Sequence, residues 1–229
     1  MSTSPSPARL SPADAWRRLE EGNARFVAGA MEHPSQDADR RTALAQTQEP
    51  YAVFFGCSDS RVAAEIIFDQ GLGDLFVVRT AGHVVDTTVV GSIEFGVEIL
   101  GAPLVVVLGH DHCGAVDAAT RALLTGQMPT GFVRAIADRI IPSLLTRAGP
   151  DSTRGAAPEG PASGGEARLL HLPDDDELRR QHVRATVEML SDYSGTLSAA
   201  VAAGRCAIVG VEYALADGTA HLVDHLGEL

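Results

Sequence analysis

The chain contains no lysine, so all 18 of its basic residues are arginine, and 30 acidic residues outnumber them. The resulting formal net charge of −12 opposes binding to nucleic-acid phosphates and to anionic membrane surfaces. The apolar runs are also far shorter than the roughly 20 residues of a membrane-spanning helix. We therefore expect neither a nucleic acid nor a membrane among the partners of this protein.

Cysteine is scarce as well. Three cysteines in 229 residues are too few, and odd in number, for a disulfide framework. The Ser/Pro-rich segment Met1–Arg9 lacks the apolar stretch of a secretory signal. These features predict a cytoplasmic protein with reduced or metal-bound thiols. The chain length suits one domain with or without arms.

Short apolar runs alternate with helical patterns through the centre of the chain. Continuous apolar runs bounded by polar loops are typical of parallel strands that are buried on both faces. We therefore predict an α/β fold with a mostly parallel, four- to five-stranded sheet flanked by helices. The predicted strands are Tyr51–Phe55, Leu75–Thr80, Leu104–Leu108 and Cys206–Val211, followed by a short tail strand, and the clearest predicted helix is Thr87–Leu100.

We expect the chain to divide into an N-terminal helical arm, residues 1–48, and a single α/β domain, residues 49–229. Ser11-Pro12-Ala13-Asp14 is a typical helix start. The apolar stripe of Trp16, Leu19 and Phe26 behind it could pack on the core or on a partner subunit. A second, polar helix is predicted at about 36–46. Residues 149–173 are rich in Gly, Pro, Ala and Ser, which predicts a flexible surface loop.

Two clusters of metal-ligating residues follow two of the predicted strands. Residues 57–61 read CSDSR, and residues 110–113 read HDHC. The carboxyl ends of neighbouring parallel strands meet at one edge of a sheet. Cys57, His110 and Cys113 can therefore occupy three corners of a tetrahedral zinc site whose fourth corner stays open. Asp59 and Arg61 form a carboxylate–guanidinium pair that can hold and orient a water on the metal.

These motifs resemble those of the β-class carbonic anhydrases over about residues 48–119. The resemblance implies a zinc enzyme that hydrates carbon dioxide reversibly to bicarbonate and a proton, through a zinc-bound hydroxide. It also implies assembly into a homodimer through the arm, or into a homotetramer. The matching segments are CSDSRV at 57–62, GDLFVVR at 73–79, GSIEF at 91–95, GH at 109–110 and CGAV at 113–116.

The resemblance also assigns roles to individual residues. Cys57, His110 and Cys113 are the expected zinc ligands, and Asp59 and Arg61 are the expected catalytic pair. If that pair breaks, Asp59 is expected to close the zinc site as a fourth ligand. The remaining expected roles concern the substrate: Gln48 reaches it from the neighbouring subunit, and Phe76 and Phe95 form apolar pocket walls.

Two other functions stay open on the sequence alone. One is a non-catalytic zinc-binding scaffold for oligomerisation, and the other is hydrolysis of carbon disulfide or carbonyl sulfide. Outside the motifs, we expect Cys206 to be a core thiol, His83 to be a loop histidine with ordinary hydrogen bonds, and His182 to be solvated. Because two thiolates offset the charge of zinc, we expect activity to rise toward alkaline pH.

Overall fold

The computed structural model describes residues 9–145 and 172–229 of the chain. Of the predicted loop at 149–173, residues 149–171 lie outside the described residues. A five-stranded sheet forms the centre of the molecule, in the order β2-β1-β3-β4-β5. The first four strands are parallel, and only β5 runs antiparallel to its neighbour. The strands are β1 (Ala52–Cys57), β2 (Leu75–Thr80), β3 (Leu104–His110), β4 (Ala207–Tyr213) and β5 (Ala220–Leu226).

The predicted α/β fold is confirmed. Every residue of β1 and β3 is buried, because helices cover both faces of the sheet. In contrast, β5 lies at an edge and exposes several of its side chains. A turn at Asp217-Gly218 joins β4 to β5, and Gly218 adopts a φ of 79°, which favours glycine.

The helices flank this sheet. The predicted helix Thr87–Leu100 is an α-helix only as far as Glu94, after which Phe95–Ile99 form a π-helical turn. Three short elements that the sequence pattern did not predict are α3, α8 and a 3-10 turn at Ala81–His83. The helices are α1 (Pro12–Val27), α2 (Ala38–Ala43), α3 (Ala64–Ile67), α4 (Thr87–Glu94), α5 (Gly114–Thr125), α6 (Val133–Leu145), α7 (Asp175–Tyr193) and α8 (Gly195–Ala202).

Helix α1 packs on the sheet of its own chain. Trp16 and Leu19 are buried in the core cluster that also contains Phe54 of β1, and Phe26 packs against that cluster. Asn23 is buried and anchors the helix through three hydrogen bonds to the main chain of α3 and of the β4–β5 turn. Of the two alternatives for the apolar stripe, the structure therefore shows packing on the core.

The core has three parts, one on each face of the sheet and one at its carboxyl end. Helices α1 and α3 cover the first face, and α4, α7 and α8 cover the second. The third part lies among α5, α6 and α7 and contains Cys57 and Cys113. No helix within residues 9–145 and 172–229 is long and apolar enough to cross a membrane.

Candidate metal centre

The sheet order creates a crevice between β1 and β3. From β1 the chain passes to β2 on one side, and from β3 it passes to β4 on the other side. Ligands of open α/β sheets bind at such a reversal, outside the carboxyl ends of the strands. Cys57 is the last residue of β1 and His110 is the last residue of β3. Both strands therefore extend two residues further than their apolar runs predicted.

Cys57, His110 and Cys113 come together in this crevice. Their ligand atoms all lie within 4.8 Å of one another, and all three side chains are buried. The chain turns back after β3 through His112, which has a φ of 48°. This turn places Cys113 at the N-cap of α5, where the helix dipole favours a thiolate. His112 is not a member of the cluster.

The ring of His110 is oriented for metal binding. Its Nδ1 lies 2.7 Å from the carbonyl oxygen of Asp111. A carbonyl can only accept, so Nδ1 carries the proton and Nε2 presents a lone pair to the two thiols. This Nε2 is buried and has no hydrogen-bond partner in the described structure. A buried lone pair beside two thiols fits a zinc ion, which prefers nitrogen and sulfur ligands.

The two thiols shift each other's pKa in opposite directions. A hydrogen bond from Cys113 outweighs the effect of burial and lowers the pKa of Cys57 to about 4. The main-chain N–H of Gly82 also stabilises the Cys57 thiolate. The same hydrogen bond and burial raise the pKa of Cys113. Burial alone would lower the pKa of His110, but the negative charge of the nearby Cys57 thiolate raises it.

Asp59 and Arg61 form a two-pronged ion pair at the mouth of the crevice. Arg61 Nε lies 2.9 Å from Asp59 Oδ1, and Arg61 Nη2 lies 2.8 Å from Asp59 Oδ2. The main-chain N–H of Arg61 also donates to Oδ1, at 2.9 Å. The hydrogen bond from the Arg61 side chain is the main reason why the pKa of Asp59 lies below its usual range. Asp59 Oδ2 is 3.9 Å from His110 Nε2, so the carboxylate borders the cluster.

Arg79 supports the loop that carries this pair. Its guanidinium donates to the carbonyl oxygens of Cys57, Asp59 and Val62, at 3.0, 2.6 and 2.8 Å. These bonds fix the main chain on both sides of Asp59. In the sequence, the arginine near the end of the mostly apolar β2 is the feature that could have indicated this supporting role.

Comparison with known proteins shows the family to which the chain belongs. Residues 52–220 match the family model described as "Carbonic anhydrase". Carbonic anhydrase 2 of Mycobacterium tuberculosis is 51% identical over 219 residues, which cover 96% of this chain and 96% of the relative. The chain belongs to the β-class carbonic anhydrases. The carbonic anhydrase of Mycolicibacterium smegmatis is 52% identical, over 96% of this chain and 97% of the relative.

Solved structures of β-carbonic anhydrases share the fold. The Coccomyxa β-carbonic anhydrase in complex with acetazolamide matches with a TM-score of 0.61 and 24% identity, over 79% of this chain and 75% of that chain. CafA of Aspergillus fumigatus matches with a TM-score of 0.62 and 24% identity, over 93% of this chain and 90% of that chain. The same architecture therefore recurs at low sequence identity.

The three residues expected to contact substrate lie away from the Cys57 cluster of their own chain. Phe76 pairs with Val53, four residues before Cys57 on β1, which places it roughly 13 Å back along the strand. The Phe76 and Phe95 rings contact each other at 6.1 Å between centroids, and Phe95 is 45% exposed. Gln48 is exposed and lines a surface depression with Leu72.

The surroundings of two histidines in this carbonic anhydrase differ from those expected from the sequence, whereas those of one cysteine agree. His182, expected to be solvated, is buried against the 3-10 turn. His83, expected to make ordinary hydrogen bonds, is buried, and neither ring nitrogen has a partner among the described residues. The prediction for His182 was wrong because the polar sequence of α7 conceals the face that α6 covers. His83 is covered in turn by the ring of His182 and contacts Phe55. Cys206 is buried at the start of β4, as expected of a core thiol.

Proposed function

We propose that this carbonic anhydrase is a zinc enzyme that hydrates carbon dioxide reversibly to bicarbonate and a proton. The observation that carries the proposal is the buried cluster of Cys57, His110 and Cys113 beside an ion-paired Asp59. The family supplies the reaction, and this cluster supplies a place for the metal.

Cys57, His110 and Cys113 would hold the ion through two sulfur atoms and one nitrogen atom. A zinc ion held there supplies the Lewis acidity that makes a coordinated water nucleophilic at neutral pH. Three protein ligands leave one position open, as in catalytic zinc sites, whereas structural sites are closed by four. This difference favours an enzyme over a zinc-binding scaffold.

Asp59 would orient the nucleophile. Because its pKa is held low, it is a carboxylate at neutral pH and can only accept hydrogen bonds. Its Oδ2 borders the cluster and can accept a hydrogen bond from the nucleophile, which aims the remaining lone pair at carbon dioxide. Arg61 donates to both oxygens of Asp59 and would so keep the carboxylate from acting as a fourth ligand. Loss of this pair would free Asp59 to close the site.

The substrate pocket would be completed by a second subunit. Gln48 and Phe95 are exposed, and they do not contact the cluster of their own chain. Ile99, one turn after Phe95, is 67% exposed, so this face presents adjacent apolar side chains suited to an interface. We therefore propose a homodimer or homotetramer in which Gln48, Phe76 and Phe95 face a neighbouring site.

A cytoplasmic location suits this site. All three cysteines are free thiols in the structure, and two of them are needed as reduced ligands.

Substitution of Asp59 by asparagine distinguishes a zinc enzyme from a non-catalytic zinc-binding scaffold. The amide side chain would keep the shape of the carboxylate but lose the ionised acceptor. We expect Asp59→Asn to bind zinc like the wild type while stopped-flow hydration of carbon dioxide falls by about 10²-fold. Wild-type protein that carries zinc but shows no hydration at alkaline pH would contradict the proposal. The absence of any activity increase toward alkaline pH would contradict the expected influence of the two thiolates.

A further inference from the structure

The 3-10 turn at Ala81–His83 contacts one of the proposed zinc ligands. The main-chain N–H of Gly82 donates a hydrogen bond to Cys57 Sγ over 3.3 Å. This is a hydrogen bond to sulfur from outside the ligand set. Contacts of this kind fix the orientation of a metal ligand and tune its electron donation.

Only glycine fits this position in the turn. Gly82 has a φ of 62°, in the left-handed region that disfavours other residues. A Cβ atom there would lie 2.7 Å from Ile140 Cδ1 and 2.8 Å from Ala115 Cβ. The turn is therefore pressed against α5 and α6, and its N–H has a defined direction.

His182 of α7 holds the other side of the same residue. Its Nε2 lies 2.8 Å from the carbonyl oxygen of Gly82, and its Nδ1 lies 2.7 Å from Ser143 Oγ. The ring is buried and stacks on His83 with 4.2 Å between centroids. His182 thus links α6 and α7 to the turn that contacts Cys57.

The hydrogen-bond partners define the tautomer of His182. The Gly82 carbonyl can only accept, so Nε2 must carry a proton. Burial lowers the pKa of His182 to about 4, so the ring is neutral and Nδ1 is an acceptor. The Ser143 hydroxyl must then donate to Nδ1. Ser143 Oγ also lies 2.6 Å from the Ile140 carbonyl oxygen, which competes for the same proton.

We propose that His182 is a positioning residue for the metal centre. Together with Ser143 it holds Gly82 in the orientation in which the N–H of Gly82 donates to Cys57 Sγ. The inference rests on the zinc site of the proposed function. It assigns a role to a side chain of α7 whose hydrogen bonds are to Gly82 and Ser143 and not to the three ligands.

Two amide substitutions test which nitrogen of His182 matters. The amide nitrogen of Gln can replace Nε2 and keep the bond to Gly82, whereas that of Asn reaches only the position of Nδ1. Metal-free protein is titrated with zinc against a competing chelator. We expect His182→Asn to weaken zinc binding by about tenfold or more, and His182→Gln to stay close to the wild type. His225→Asn, at an exposed position of β5, is the matched control and should change nothing.

The cobalt(II)-substituted proteins give a second readout that packing alone would not move. Loss of an N–H donor makes a thiolate more electron-rich, so the sulfur-to-cobalt charge-transfer band should move to longer wavelength in His182→Asn. The shift should be clearly smaller in His182→Gln, which keeps the bond to Gly82 and loses only the bond to Ser143. Ser143→Ala, which leaves the imidazole in place, should shift the band in the same direction by less. This variant keeps the test valid if the His182 variants fail to fold.

The possible outcomes separate this inference from the proposed function. Wild-type protein that binds no zinc would overturn the proposed function. Wild-type protein that binds zinc, with both His182 variants equal to it or equally weakened, would overturn only the positioning role. A Ser143→Ala protein with wild-type affinity and band position would also overturn it.

Discussion

Substitution of Gly82 by alanine should destabilise the protein through two separable effects. The new methyl group would meet Ile140 Cδ1 at 2.7 Å and Ala115 Cβ at 2.8 Å, and the residue would have to keep a φ of 62°. Left-handed backbone costs roughly 1–2 kcal/mol for a residue with a Cβ. Overpacking of a filled core costs about 1–3 kcal/mol. We therefore expect the free energy of unfolding to fall by about 2–5 kcal/mol.

Gly126 provides a matched control for this substitution. It has a φ of 71°, but a Cβ there would meet no atom within 4 Å. Gly126→Ala should therefore show the backbone effect alone, about 1–2 kcal/mol. Urea unfolding of the metal-free proteins, at several protein concentrations, measures both. Zinc affinity should fall only in Gly82→Ala, since only that change displaces the N–H donor of Cys57. Equal losses of stability in the two variants would refute the close contact of the turn with α5 and α6.

Three further predictions concern the arm, the ion pair and the remaining cysteine. Asn23→Ala removes three buried hydrogen bonds and should lower the free energy of unfolding, measured in urea, by about 2–4 kcal/mol. A change within about 0.5 kcal/mol, as is usual at exposed sites, would argue against packing of α1 on its own chain. Arg61→Gln removes the main cause of the low pKa of Asp59. As the pH is lowered, Asp59 should therefore become protonated at a higher pH than in the wild type, so kcat/KM should decrease on the acid side and fall by up to about 10²-fold. An unchanged pH profile with full zinc content would contradict the role of the ion pair. Cys206→Ala should still bind one zinc per chain by metal analysis, because Cys206 lies outside the cluster of metal-ligating residues. A loss of zinc would contradict the assigned ligand set.

The sheet was largely predictable from the sequence. Apolar runs in a parallel sheet are continuous, and each predicted strand is present in the structure. β2 has the predicted bounds, Leu75–Thr80. The ends of β1 and β3 were predicted too early, because Cys57 and His110 do not continue the apolar pattern. Their main chains nevertheless pair with Thr80 and Tyr213. Strand pairing depends on the backbone, which side-chain periodicity does not reveal.

The supporting contacts of the site could not be predicted in the same way. His182 and Gly82 are 100 residues apart, and the segment around His182 is polar, which is typical of an exposed helix. Its burial arises only when α6 packs against α7. The motif residues, in contrast, lie within short segments that directly follow strands, so the topology of the sheet was enough to bring Cys57, His110 and Cys113 together. Gln48, Phe76 and Phe95 stay predictions, because their proposed contacts require a second subunit.

Removal and return of the metal is the most direct test of whether hydration depends on zinc. The protein is stripped with a chelator, and hydration of carbon dioxide is measured by stopped flow at alkaline pH before and after one equivalent of zinc per chain is added. We expect hydration to be lost on stripping and to return in proportion to the zinc bound. Hydration that persists in metal-free protein, or that does not return when zinc binds, would contradict a zinc-dependent reaction.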